Sequence, residues 1–155
     1  MIEFLWNWIS SPQMQLLGIV ALAMVLGGIV GFEREYADKP AGLRTHMLVS
    51  GAAALLVSLS APIVQAGGLT PARISADPIR IIEAVVTGIS FLGAGTILQR
   101  REMAAVEGLT TAASLLLVAA IGISVALRQW TLAGGTTVLT VIVLYVVKRW
   151  EIVQK

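Results

Sequence analysis

Apolar residues run through this chain in five stretches of about 20, each long enough to cross the hydrocarbon core of a bilayer as a helix. The first goes from Met14 to Phe32. Ser11-Pro12 ahead of it reads as an N-cap followed by a first helical residue whose missing N–H costs nothing. The second extends from Thr45 to Gln65. Asp77-Pro78 repeats the start signal and opens a third, Ile79 to Leu98, while a fourth covers Leu109 to Leu127 and a fifth Trp130 to Val147. Only Arg128 and Gln129 separate the last two, which predicts a tight antiparallel hairpin. Ahead of the first stretch, Ile2, Leu5, Trp6 and Ile9 recur at helical spacing while Glu3, Asn7 and Ser10 point elsewhere. That is the pattern of a short amphipathic turn in the membrane interface, a depth that suits Trp6 and Trp8. The same segment has neither a basic n-region nor a small-residue cleavage site, so it is expected to stay in the mature protein.

The pattern predicts an all-α fold: a polytopic integral membrane protein with five transmembrane helices (about 14–32, 45–65, 79–98, 109–127 and 130–147) and an N-terminal interfacial helix. One transmembrane domain is expected over 1–155, with Lys148 to Lys155 as a short tail and no soluble C-terminal domain. Composition agrees. At 57% hydrophobic residues in 155, the chain has more apolar surface than a small soluble domain can bury, so lipid has to take the excess. The absence of cysteine excludes disulfides, thiolate metal sites and cysteine nucleophiles, and a net charge of +2 is too slight to point to nucleic acid. Charge also orients the chain. Arg34, Lys39, Arg44, Arg100, Arg101, Lys148, Arg149 and Lys155 fall on one side of a five-span layout, against Arg73, Arg80 and Arg128 on the other. The positive-inside rule then places the N-terminus outside and the C-terminus in the cytoplasm.

Ionisable groups inside spans carry the chemistry, because each costs roughly 2.5–3.5 kcal/mol at a span centre. Arg80, Glu83, Thr87 and Ser90 are spaced three, four and three apart, which sets them on one helical face. Glu83 lies about 9 Å along the helix from Asp77, below the outer interface. The stripe is expected to face protein or water, as a polar crevice with Asp77 at its rim; the competing reading is an Arg80–Glu83 ion pair that neutralises itself near the headgroups. Phe32-Glu33-Arg34-Glu35-Tyr36 begins a charged connection after the first span. Its carboxylates Glu33, Glu35 and Asp38 suit a hard cation such as Mg²⁺, or else form a salt-bridged loop. Glu33, Asp77 and Glu83 are the metal-contact candidates; no cofactor is required, and Mg²⁺ is the ion these groups would suit. His46, the sole histidine, fits a local contact better than a metal.

Gly27 and Gly31 form GxxxG in the first span, the basis for an expected homodimer through that helix, and Gly88, Gly93 and Gly95 permit close backbone approach in the third. Thr110 and Ser114 in GLTTAAS are placed for hydrogen bonding between helices. No His cluster, activated nucleophile or phosphate-binding loop is visible, so an enzyme is not expected.

LGGIVGFEREYADKPAGLRTHMLVSGAAALL, DPIRIIEAVVTGISFLGAGTIL and VEGLTTAASLLLVAAIGI, in that order, resemble the membrane domain of the MgtC/SapB family over about Leu17 to Leu127. The matching positions are Glu33, Arg34, Gly42, Leu43, Arg44 and Thr45, then Asp77, Arg80, Gly88, Gly93, Ala94 and Gly95, then Gly108, Leu109, Thr110 and Thr111. The resemblance implies a protein of the bacterial inner membrane associated with magnesium limitation. Longer members continue into a soluble cytoplasmic domain, and functions that depend on that domain are not implied here. Two roles follow as expectations: transport or sensing of a divalent cation, or regulation without transport, by binding another membrane complex such as the ATP synthase.

Overall fold

The computed structural model describes residues 11–66, 78–98 and 108–153, and among these residues every regular element is a helix. They are α1 (Pro12–Tyr36), α2 (Leu43–Ala66), α3 (Pro78–Leu98), α4 (Leu109–Ala126) and α5 (Trp130–Val153). The first four are long and apolar enough to cross a membrane, and α5 carries the shorter apolar stretch Trp130–Val146. The N-terminal amphipathic turn, Asp77 and the Arg100–Arg101 pair lie outside the described residues.

Helix α1 begins as its sequence dictates: Ser11 is extended, its hydroxyl accepts from the Met14 N–H at 3.4 Å, and Pro12 opens the first turn. Its far end differs from the expected loop after Phe32, because the helix continues through Glu33, Arg34, Glu35 and Tyr36. Glutamate and arginine are good helix formers, so the chain has no local reason to stop at the last apolar residue. What stops it is a turn. Asp38 takes φ +53°, its N–H donates to Glu35 O at 3.0 Å, and the Lys39 N–H reaches back to Arg34 O at 3.0 Å. This is a Schellman closure, with a non-glycine residue at the left-handed position. The turn between α4 and α5 repeats it: Arg128 has φ +58°, its N–H donates to Val125 O, and the Gln129 N–H donates to Ser124 O, each at 2.9 Å. Gln129 O then accepts from Ala133 and starts α5, so two residues suffice for the expected hairpin.

The core forms where α1, α2 and α4 meet, around Ala23, Val30, Ala53, Ala54, Leu115, Val118, Ile121 and Val125. Helix α4 is central and touches all four others. Half of its apolar window is buried, against 11% for α3, which leans on α4 with a thin contact to α2. Small residues make the central packing possible. A side chain on Gly122 would start 2.1 Å from the carbonyl oxygen of Ser50, so α2 and α4 touch backbone to backbone there.

Gly27 and Gly31, expected to serve a homodimer, are spent inside the chain. A Cβ at Gly27 would lie 2.7 Å from His46 O, and one at Gly31 2.8 Å from both His46 Cβ and Leu43 Cα. The GxxxG face of α1 is therefore the seat of α2 and unavailable to a second copy.

Candidate functional site

The polar residues gather in two places. The first is the end of the bundle where α1 hands over to α2. Arg34 is 3% exposed even though it sits in the last turn of α1, and its guanidinium is held by the carboxylate of Glu33, with Nε and Nη2 both on Oε2. Neighbouring positions on a helix do not face one another, so both side chains bend to meet. Glu35 points the other way along the turn, where its Oε2 accepts the Leu43 N–H at 2.8 Å and caps the start of α2. Gly42 makes room for that cap: a Cβ there would lie 2.7 Å from Glu35 Oε2 and would push the carboxylate off the N–H. Asp38 closes the turn through its backbone and is exposed.

One turn into α2, His46 is fully buried and ties α2 to α4. Its Nδ1 lies 2.9 Å from Gly42 O, and its Nε2 3.0 Å from the hydroxyl of Ser114, which also lies 2.8 Å from Thr111 O. The protons along this line can be counted. Both ends are carbonyl oxygens, which only accept, so Nδ1 carries a proton. A neutral ring and the serine together supply two protons for three links, whereas a ring protonated on both nitrogens fills all three. Gly31 is the reason the imidazole fits, since its missing side chain leaves the volume that His46 Cβ occupies. Nearby, the buried hydroxyl of Ser50 has no partner. A helical serine can turn to its own preceding carbonyl, so this orphan does not by itself mark a site.

The second place is the outside of α3. Val85 and Gly93 face inward with Ile82, Ile89 and Thr96, and Gly93 lies 3.2 Å, measured from its missing Cβ, from that of Ala112 on α4. Arg80, Glu83, Thr87 and Ser90 are all exposed on the opposite side. Thr87 and Ser90 donate back to Glu83 O and Val86 O, each at 2.8 Å. Arg80 and Glu83, expected either to pair or to line a crevice, are not joined by an ion pair among the described residues, where Glu33–Arg34 is the one such pair, and the stripe is exposed on the outer side of α3.

Of the metal-contact candidates, Glu33 belongs to the α1–α2 end and Glu83 to the early part of α3, and Asp77 lies outside the described residues. No group of three His, Asp or Glu converges among the described residues. The remaining motif positions act on the backbone or on surfaces. Gly108 takes φ +100° and accepts from Ala112 N at 2.9 Å to start α4; a Cβ on it would meet Thr96 O at 3.0 Å. Thr111 is buried, Thr110 and Arg44 are exposed, Thr45 is half-buried, and Gly88 and Gly95 face open space. Sequence reading missed the burial of Arg34 and the cap by Glu35; the hydrogen bond between helices expected of Ser114 is present, with His46 as the partner that the sequence did not name. Gly42 beside Leu43 was the one local hint of the cap.

Comparison with known proteins follows the same residues. The model of the MgtC family matches residues 20–152. SrpB of Synechococcus elongatus is 38% identical over 94% of this chain and 83% of its own length. YhiD of Escherichia coli strain K12, provisionally named a magnesium transporter, is 40% identical over 81% of this chain and 57% of its own. MgtC of Brucella abortus is 40% identical over 73% of this chain and 43% of its own, so the chain spans about half the length of these last two relatives. No solved structure matches. With a match running from the middle of α1 through most of α5, this chain belongs to the MgtC family, as a membrane protein built from apolar helices.

Proposed function

We propose that the chain is a five-span protein of the bacterial cytoplasmic membrane, N-terminus outside and C-terminus inside, that serves magnesium homeostasis by binding another membrane complex and not by conducting the ion. The observation that carries this reading is where the inner-end carboxylates are spent. Glu33 holds the buried Arg34 and Glu35 caps α2, while α1, α2 and α4 close on one another at backbone distance. Groups engaged in this way make a rigid scaffold, and moving a hydrated ion past them would require breaking the contacts that hold the bundle together. The ATP synthase is an example of such a complex, embedded in the same bilayer. No catalytic step and no cofactor enter this role.

Conduction or sensing of a divalent cation is the second reading. It draws on Glu83, a carboxylate within a membrane-length helix beside Thr87, and on the name given to YhiD.

Growth separates a magnesium-linked role from an unrelated one. A strain lacking the gene is expected to grow normally with abundant magnesium and poorly when magnesium is limiting, with recovery on expression of the intact chain. Equal growth of the deleted and intact strains under limiting magnesium would overturn the assignment to magnesium homeostasis.

A further inference from the structure

A cleft of about 290 Å³ lies at the end of the bundle where α1 begins and α4 turns into α5. Gln15, Gly18, Ile19 and Leu22 form one wall, at spacings of three, one and three that hold them on a single face of α1. Arg128 in the turn and Trp130, the first residue of α5, form the other. The space exists because Gly18 has nothing within 4 Å of its missing side chain. The cleft changes character with depth. At its rim are the guanidinium of Arg128, the amide of Gln15 and the indole of Trp130, all of them donors; from there to Leu22, about 10 Å along the helix, the wall is apolar. Gly18, Leu22 and Trp130 are exposed, so the cleft also opens sideways to the outside of the bundle. Arg128 falls between the apolar stretches Leu109–Ala126 and Trp130–Val146, which sets it at the level of the headgroups. It enters no ion pair among the described residues, and the two hydrogen bonds that close its turn fix the point from which the guanidinium reaches out.

We propose that this cleft binds one anionic phospholipid, its phosphate on Arg128 and Trp130 and one acyl chain along Gly18, Ile19 and Leu22. The unpaired cation calls for an anion, the apolar wall below it calls for hydrocarbon, and the sideways mouth opens on the bilayer, where an amphiphile with both parts already stands at the right depth. A soluble anion would satisfy Arg128 and leave the wall bare. An apolar helix would cover the wall and bury the guanidinium without a counter-charge, which is costly. The volume is about that of ten water molecules in the liquid, enough for part of one chain. A lipid seated there bridges α1 and the α4–α5 hairpin. The site is independent of whether the protein regulates or conducts, and of which end of the bundle faces the cytoplasm.

Trp130 lines the cleft and reports on its occupant. With Trp6, Trp8 and Trp150 replaced by phenylalanine, the full chain carries a single tryptophan, whose emission is quenched by brominated acyl chains in contact with it. In phosphatidylcholine vesicles, brominated phosphatidylglycerol is expected to quench Trp130 as though enriched about fivefold over brominated phosphatidylcholine at the same mole fraction, the effect of one basic residue beside an anionic headgroup. Arg128→Lys should keep this preference and Arg128→Gln abolish it; both replace arginine at the same backbone angle, so a difference between them is not a defect of the turn. Gly18→Leu, whose Cβ meets no other atom, should fold, fill the cleft and abolish the preference as well. Excess inorganic phosphate should leave the quenching unchanged. Equal quenching by the two lipids, or the same result from the lysine and glutamine variants, would overturn the site. So would displacement by phosphate, which would assign Arg128 to a soluble anion, and a preference that emerges only on Glu3→Gln, which would assign the cleft to the chain's own N-terminal segment.

Discussion

Gly122→Ala is expected to destabilise the bundle by at least about 3 kcal/mol, the upper end for overpacking, because what it strikes cannot move aside. The added carbon would begin 2.1 Å from the Ser50 carbonyl oxygen and 3.0 Å from its carbon, both of them backbone. Relief requires α2 and α4 to part by about 1 Å, enough to weaken the dispersion contacts of every layer between them. Leu115, Val118 and Ile121 on α4 and Ala53 and Ala54 on α2, each 0–1% exposed, lie in those layers. Gly18→Ala is the matched control: nothing lies within 4 Å of its missing side chain, and replacing a mid-helix glycine there should leave stability unchanged or raise it by about 0.8 kcal/mol. Thermal midpoints of the two variants in detergent check this, and equal midpoints would contradict the backbone contact.

The second large effect concerns the buried cation. Glu33→Gln removes the carboxylate that holds Arg34 and leaves a guanidinium 3% exposed without its counter-charge. Breaking a buried pair costs about 3–5 kcal/mol. The Glu33 side chain is itself 13% exposed, so partial screening places the expected loss near the lower end of that range. Glu33→Gln combined with Arg34→Met should be less destabilised than Glu33→Gln alone, because the double change strands no charge. Steady-state levels in the membrane and melting in detergent both read this order. Wild-type behaviour of Glu33→Gln would show that Arg34 is satisfied by something other than Glu33.

These two sites also show what the sequence could and could not disclose. Periodicity and local signals located the helices well: Ser11-Pro12 starts α1, and Arg128-Gln129 turns α4 into α5. Those are properties of a few adjacent residues, which is why they can be read without a fold. The end of α1 was harder, since counting apolar residues stops at Phe32 while the helix runs on to a turn at Asp38 defined by backbone angles. Arg34 looked like part of a charged connection because nothing nearby in sequence announces that it will be buried. The GxxxG of α1 foretold a close approach without naming the helix that approaches; only the fold shows it to be α2. His46 and Ser114 are 68 residues apart, and their contact exists only once α2 and α4 have docked. For α3 the spacing of Arg80, Glu83, Thr87 and Ser90 was plain from the start, yet which way the stripe faces depends on how α3 leans on α4.

The most direct test of binding against conduction is magnesium flux into sealed liposomes that contain the purified, folded chain and a trapped magnesium-sensitive dye, with empty liposomes alongside. A closed scaffold predicts entry no faster than in the empty vesicles, with or without a membrane potential. Entry that exceeds the empty-vesicle rate in proportion to the protein incorporated, and that falls in a folded Glu83→Gln variant, would contradict the binding role and establish a path for the ion.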